Sequence, residues 1–213
     1  MFDKSSVKCY EFMWILKNTE KKMKILDTKR VYDGYLKVDV LKTKKTNWEI
    51  ARAKPAVALF LFNKSNNCAL FVRQCRPSMI SPENPFGILI EAVAGRLDKP
   101  GFTIEQVASA EAHEEAGAII PPRRITRLNE GKPLSSSAGM TDELIYLTYG
   151  EITNNDFDKR KKVLGAEGEG EEILGIQYVP ITQLENQAWD NMHTALLVEM
   201  FLRMQRNQAK GGR

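Results

Sequence analysis

Histidine and cysteine are scarce in this chain: two and three residues among 213. The cysteines, Cys9, Cys68 and Cys75, are odd in number and lack metal-ligand spacing. That excludes a disulfide scaffold and a structural zinc site, and it fits free thiols in a reducing compartment. Long apolar runs are also missing. None reaches the ~18 residues of a membrane-spanning helix, so no membrane partner is expected. The apolar stretch from Val7 to Leu16 carries Lys8 and Glu11, which spoils it as a signal peptide, and the cytoplasm is the default location. Charge of one sign is weak: the net charge is +4 and the isoelectric point about 8.9. The one basic cluster, Lys159-Arg160-Lys161-Lys162, sits among Asn, Asp and Gly and reads as a solvated loop. With no basic stripe and no aromatic platform, nucleic acid is not an expected partner. A mild positive balance suits an anionic small molecule. No internal repeat is present.

What remains is a globular composition, 43% hydrophobic and 27% charged. The length predicts an extension over 1–34, one domain over 35–208 and a frayed tail over 209–213. Alternation predicts a half-buried strand from Tyr35 to Val40, pairing with Trp48 to Ala53. Apolar runs predict strands at Ala56 to Phe62, Cys68 to Cys75, Ile88 to Ala94, Leu144 to Ile152 and Ile173 to Val179. Asn63 to Asn67 reads as a hairpin loop and Asn154 to Gly170 as a long polar loop. An amphipathic helix is expected from His193 to Gln205. Mixed strands with two helices predict an α+β layered domain.

The most informative segment runs from Gly95 to Ala118, GRLDKPGFTIEQVASAEAHEEAGA. Thr103 and Gln106 form a capping box, and Gly117 with Pro121 and Pro122 marks the stop. At about 100° per residue, Ile104, Val107 and Ala108 make one apolar stripe. The next positions on that stripe are Glu111 and Glu115. Like charges one turn apart repel, and carboxylates off the solvated face need compensation. An oxygen-ligated divalent cation supplies it; an arginine, with Arg96 and Arg123 at hand, is the alternative.

Glu111, Glu114, Glu115 and Gly117 stand in the register of the Nudix box, and the segment resembles that family. Ala110 replaces the box arginine, Gly101-Phe102 replaces its upstream glutamate, and the spacing is one residue longer. The likeness covers most of residues 35–205 and is nearest to the nucleoside-diphosphate-sugar branch, with its UDP-glucose and ADP-ribose pyrophosphatases. Phe71 to Pro77 resembles the branch's strand ending in Gln-x-Arg, Glu91 to Gly95 its Glu-x-x-Ala-Gly entry, and Ser137 to Glu143 its Ser-Pro-Gly-x-x-x-Glu loop with Ala138 for Pro. Gly168 to Ile173 resembles its late acidic loop.

The resemblance implies an α/β/α layered fold, a mixed sheet sandwiched by helices. It implies Mg²⁺, or Mn²⁺ in its place, held by Glu111, Glu115, the carbonyl of Ala94 and Glu171, with Glu114 in support. Glu169 falls where the branch keeps a general base; read alone, its loop is merely solvated. Arg76 either forks onto a phosphate or makes a surface salt bridge. Trp48 either stacks on a base or packs in a sheet core, and Glu143 completes the substrate contacts. His113 falls on the outer helix face, and His193 begins a helix like a surface residue. The implied activity is Mg²⁺-dependent hydrolysis of the pyrophosphate bond of a nucleoside diphosphate sugar, in a homodimer. The alternatives are an ADP-ribose pyrophosphatase and a catalytically silent nucleotide- or protein-binding module.

Overall fold

The computed structural model describes residues 23–161 and 173–211. The chain divides into two compact units, one formed by Met1–Ala53 with Gly139–Thr141 and the other by Lys54–Ala138 with Asp142–Arg213. The first holds a three-stranded antiparallel sheet of β1 (Asp27–Asp33), β2 (Lys37–Lys42) and β3 (Asn47–Arg52). The β2–β3 hairpin is the pairing predicted from alternation, in the register Val40 to Glu49. The strand at 27–33 was not legible, because every residue along it is exposed and no apolar alternation marks it. At the centre of this sheet Asp39 is 6% exposed and receives hydrogen bonds from Arg30 and Arg52, which hold its carboxyl below the usual range.

The second unit is a mixed sheet with a helix on each face. Its strands are β4 (Ala56–Asn63), β5 (Cys68–Cys75), β6 (Ile88–Glu91), β7 (Val93–Arg96), β8 (Ile125–Arg127), β9 (Leu134–Ser135), β10 (Leu144–Ile152) and β11 (Ile173–Pro180). The helices are α1 (Ile104–Ala116) and α2 (Met192–Gly211). Strand β4 is apolar on both sides, as a central strand covered twice must be. Val57, Leu59 and Leu61 pack against Val107, Ala108 and Ala112 of α1. Ala58 and Phe60 pack against Leu197, Val198 and Phe201 of α2, with the Phe60 and Phe201 rings stacked at 4.6 Å. The layering α/β/α follows directly from that two-faced strand.

One departure from the expected strands shapes the site. Ile88 to Ala94 reads as a single strand, apolar but for Glu91, yet it is two strands. Residues 88–91 pair with the end of β5, Glu91 opposite Val72. Residues 93–96 pair with the start of β4, Ala94 opposite Ala58. Strands β4 and β5 pair with each other only at Leu61 to Asn63 and Cys68 to Leu70, so they diverge beyond that hairpin and the chain crosses the fork at Ala92. There the Ala92 amide leaves the ladders and donates to Thr194 Oγ1 at 2.9 Å, in the buried interior.

Among the described residues, no helix is long and apolar enough to cross a membrane.

Candidate active site

The box helix begins and ends where its local chemistry dictates. Gln106 N–H donates to Thr103 Oγ1 at 3.2 Å, and Thr103 N–H donates to Gln106 Oε1 at 2.7 Å. Gly117 closes the helix at φ +64, its N–H on the His113 carbonyl and that of Ala118 on Ala112. These ends set the phase of everything between them. Val107, Ala108, Ala112, Glu115 and Ala116 are buried, so a glutamate does occupy the core stripe.

Both inward glutamates meet β7. Glu115 is 2% exposed and its Oε2 accepts the Ala94 N–H at 3.1 Å. Glu111 lies against the next residue: a Cβ built on Gly95 would fall within the Glu111 carboxylate. Glycine is required at that position by close approach rather than by an unusual φ. Two carboxylates are thus seated on successive residues of one strand. They are hard oxygen donors and fit a divalent cation of the Mg²⁺ type. Among the described residues, no three His, Cys, Asp or Glu side chains form a ready cluster. Glu114 turns instead to Lys99, Oε1 to Nζ at 3.2 Å. Glu169 and Glu171, with Glu167 and Glu172, lie outside the described residues.

Three residues upstream of Ala94, at the end of β6, stands a second buried carboxylate. Glu91, 3% exposed, receives the Arg76 Nε at 2.7 Å on one oxygen and the Asn191 amide on the other. Among the described residues Arg76 is gripped through Nε, which leaves its terminal nitrogens able to fork onto an anion. Asn191 is also the N-cap of α2, accepting the Thr194 N–H at 3.0 Å. The start of α2 is therefore tied to the strand by Asn191 on Glu91 and Thr194 on Ala92. Sequence reading missed both residues; the Asn-x-x-Thr start of α2 signals a cap but not the strand it is tied to.

His193 is corrected by this docking. It lies between the two tying residues and is half-buried rather than on the surface, with Nε2 lacking a hydrogen-bond partner. Burial and the nearby Arg76 lower its pKa, against Glu91 and Glu143, which raise it. His113 pairs with Asp158 at 3.2 Å, where the segment after β10 returns to the end of α1. Glu143 is half-buried before β10. Trp48, in the first unit, lies opposite Leu41 and is 39% exposed, outside any core of that sheet.

No protein-family model matches the chain. A solved structure described as an ADP compounds hydrolase superposes with a TM-score of 0.66 at 15% identity, covering 88% of this chain and 96% of that one. This is a Nudix fold. Among curated proteins, the uridine diphosphate glucose pyrophosphatase of Bos taurus is 26% identical over 160 residues, 63% of this chain and 69% of that protein. The GDP-mannose pyrophosphatase of Cronobacter sakazakii is 32% identical over 123 residues, 57% of this chain and 59% of that protein. Both relatives are pyrophosphatases named for nucleotide sugars. Within the Nudix fold, the inward glutamates stand on the helix that the box resemblance marks.

Proposed function

We propose that this chain hydrolyses the pyrophosphate bond of a nucleoside diphosphate sugar, releasing a nucleoside monophosphate and a sugar 1-phosphate, with Mg²⁺ or Mn²⁺. The observation that carries the reading is the seating of Glu111 on Gly95 and of Glu115 on the Ala94 amide. Two carboxylates brought to successive residues of one strand present hard oxygen donors of the kind a divalent cation of the Mg²⁺ type takes.

Glu111 and Glu115 would hold the cation in this reading, with the Ala94 carbonyl and Glu171 as further ligands and Glu114 in support. When bound, the cation neutralises phosphate oxygens and acidifies a water. Glu169 takes the proton from the attacking water. Water adds at one phosphorus while the bond to the bridging oxygen breaks, and the bridging oxygen leaves with the other phosphate. Arg76, aimed by Glu91, forks onto the phosphate that stays with its half of the substrate. Glu143 contacts the remainder of the substrate.

A homodimer goes with this reading, supported by Val31, Tyr32, Tyr35 and Trp48, which are exposed on residues 27–52. A cytoplasmic setting is supported by the free thiols of Cys68 and Cys75.

The test is a panel of nucleoside diphosphate sugars that includes ADP-ribose, with Mg²⁺ and then with EDTA. Phosphate released after phosphatase coupling is the readout. Turnover with Mg²⁺ that EDTA abolishes is expected, highest on a hexose conjugate. Preference for ADP-ribose would reassign the substrate, and full activity in EDTA would overturn the metal assignment. Binding without turnover would make the chain a silent module.

A further inference from the structure

A carboxylate and a guanidinium in contact ordinarily close a two-pronged pair, each oxygen taking one N–H. Glu91 and Arg76 do not. Arg76 Nε donates to Glu91 Oε2 at 2.7 Å, and among the described residues neither terminal nitrogen of Arg76 makes a hydrogen bond. The reason lies on the other oxygen: Oε1 is taken by the Asn191 amide. The Glu91 side chain is 4% exposed and that of Arg76 36%, so the pair is closed to water at the carboxylate and open to it on the arginine side.

Asn191 is itself held in one orientation. Its Oδ1 accepts the Thr194 N–H at 3.0 Å, and its backbone carbonyl accepts the Ala195 N–H at 2.9 Å. Turning the amide over would set an NH2 group against an N–H and an oxygen against a carboxylate, so the nitrogen must face Glu91. Thr194 Oγ1 accepts the Ala92 N–H at 2.9 Å, which fixes the same helix end beside the residue after Glu91. The Arg76 backbone is fixed too, its N–H on the Gly87 carbonyl at 2.8 Å. With backbone and Nε both placed, the direction of the terminal nitrogens depends on what the second carboxylate oxygen demands.

We infer that Asn191 is a positioning residue for phosphate binding: it occupies Oε1 of Glu91, confines the grip on Arg76 to Nε, and so leaves both terminal nitrogens to fork onto a phosphate of the substrate. This rests on the functional reading above and extends it to the start of α2. Without the Asn191 amide, a carboxylate oxygen would be buried with no donor, which folded proteins rarely allow. The guanidinium on the neighbouring oxygen can supply one by turning a terminal nitrogen inward. That exchange satisfies Glu91 and takes one charged hydrogen bond from the substrate.

The experiment is a double-mutant cycle on the full-length protein, with Mg²⁺ and the nucleoside diphosphate sugar turned over best in the panel. Asn191→Ser keeps a capping oxygen for the Thr194 N–H, since serine caps as well as asparagine, but is too short to reach Glu91. It is expected to raise KM about 10-fold, the worth of one hydrogen bond to a charged group. A kcat within about 2-fold of wild type should accompany it, as for binding lost equally from ground and transition states. Arg76→Gln removes the fork and is expected to raise KM by at least as much. In the Arg76→Gln background, Asn191→Ser is expected to raise KM no further, because Asn191 acts only through that guanidinium. If the serine variant melts below the assay temperature, Asn191→Asp decides by the same cycle; it has the same size and caps equally well but offers Glu91 no donor. Equal losses in both backgrounds would make Asn191 a structural tie and overturn the inference. So would an unchanged KM for Asn191→Ser or for Arg76→Gln, with hydrolysis of nucleotide sugars left standing in each case. Wild-type protein that turns over no nucleotide sugar would overturn the functional reading and this inference with it.

Discussion

Gly95→Ala separates the seating of Glu111 from the fold around it. The added methyl would occupy the place now filled by the Glu111 carboxylate. Gly95 pairs with Val57 in the β4–β7 ladder, and its backbone lies outside the left-handed region, so alanine is conformationally acceptable there. Restricting the unfolded chain by Gly→Ala contributes roughly 0.4–1 kcal/mol of stability. Driving a long side chain off its rotamer costs about 0.5–1.5 kcal/mol. The two nearly cancel, so the melting temperature should move by only a few degrees. Catalysis should not be spared, because the displaced atoms are the carboxylate itself. A misplacement on the order of 1 Å at a reacting site costs roughly 10²-fold in rate. The assay is kcat against Mg²⁺ concentration on the best nucleotide sugar, with a melting curve on the same sample. Expected are a near-native melt, a rate lowered about 10²-fold, and a higher Mg²⁺ requirement. Wild-type turnover with wild-type Mg²⁺ dependence would refute the reasoning, since Glu111 would then work without its seat on Gly95.

The remaining predictions address the other carboxylates. Glu115→Gln should keep the fold, since the amide is nearly isosteric and its oxygen can still accept the Ala94 N–H, while turnover falls by orders of magnitude in the coupled phosphate assay. Glu169→Gln should lower kcat by roughly 10²–10⁴-fold with little change in Mg²⁺ dependence, and Glu171→Gln should instead raise the Mg²⁺ needed for half activity; a reversed pair of effects would exchange the two roles. Away from the site, hydrogen bonds from Arg127 to both oxygens of Glu105 hold the Glu105 pKa at about 2 in the folded chain. A depressed carboxylate pKa stabilises above the unfolded value of about 4.3 and loses that contribution as pH falls towards 2. Urea melts should therefore find Arg127→Gln less stable than wild type by up to about 1 kcal/mol at pH 6, a partly exposed pair being worth no more, and the gap should close near pH 2.

What the chain determined by itself was local. The capping box at Thr103, the glycine stop at 117 and the 3.6-residue period put Glu111 and Glu115 on the inner face, because each of those rules acts within a few residues. The apolar runs of β4, β5 and β10 announced a covered sheet for the same reason. Tertiary structure alone decided the rest. Residues 88–94 are apolar but for Glu91 and hold no glycine or proline, so nothing local marks the change of partner at Ala92; the divergence of β4 from β5 imposes it. The amide freed there is satisfied by Thr194, 102 residues along the chain. Glu91 finds Asn191 across 100. His193, polar and at the start of an amphipathic helix, looked like surface until those two contacts drew the helix end against the strand. Gly95 likewise shows in sequence only as a small residue, and its necessity arises from a carboxylate 16 positions later. Periodicity records which side of an element is buried; it does not record which distant group must satisfy a buried donor, and in this chain those distant pairings build the site.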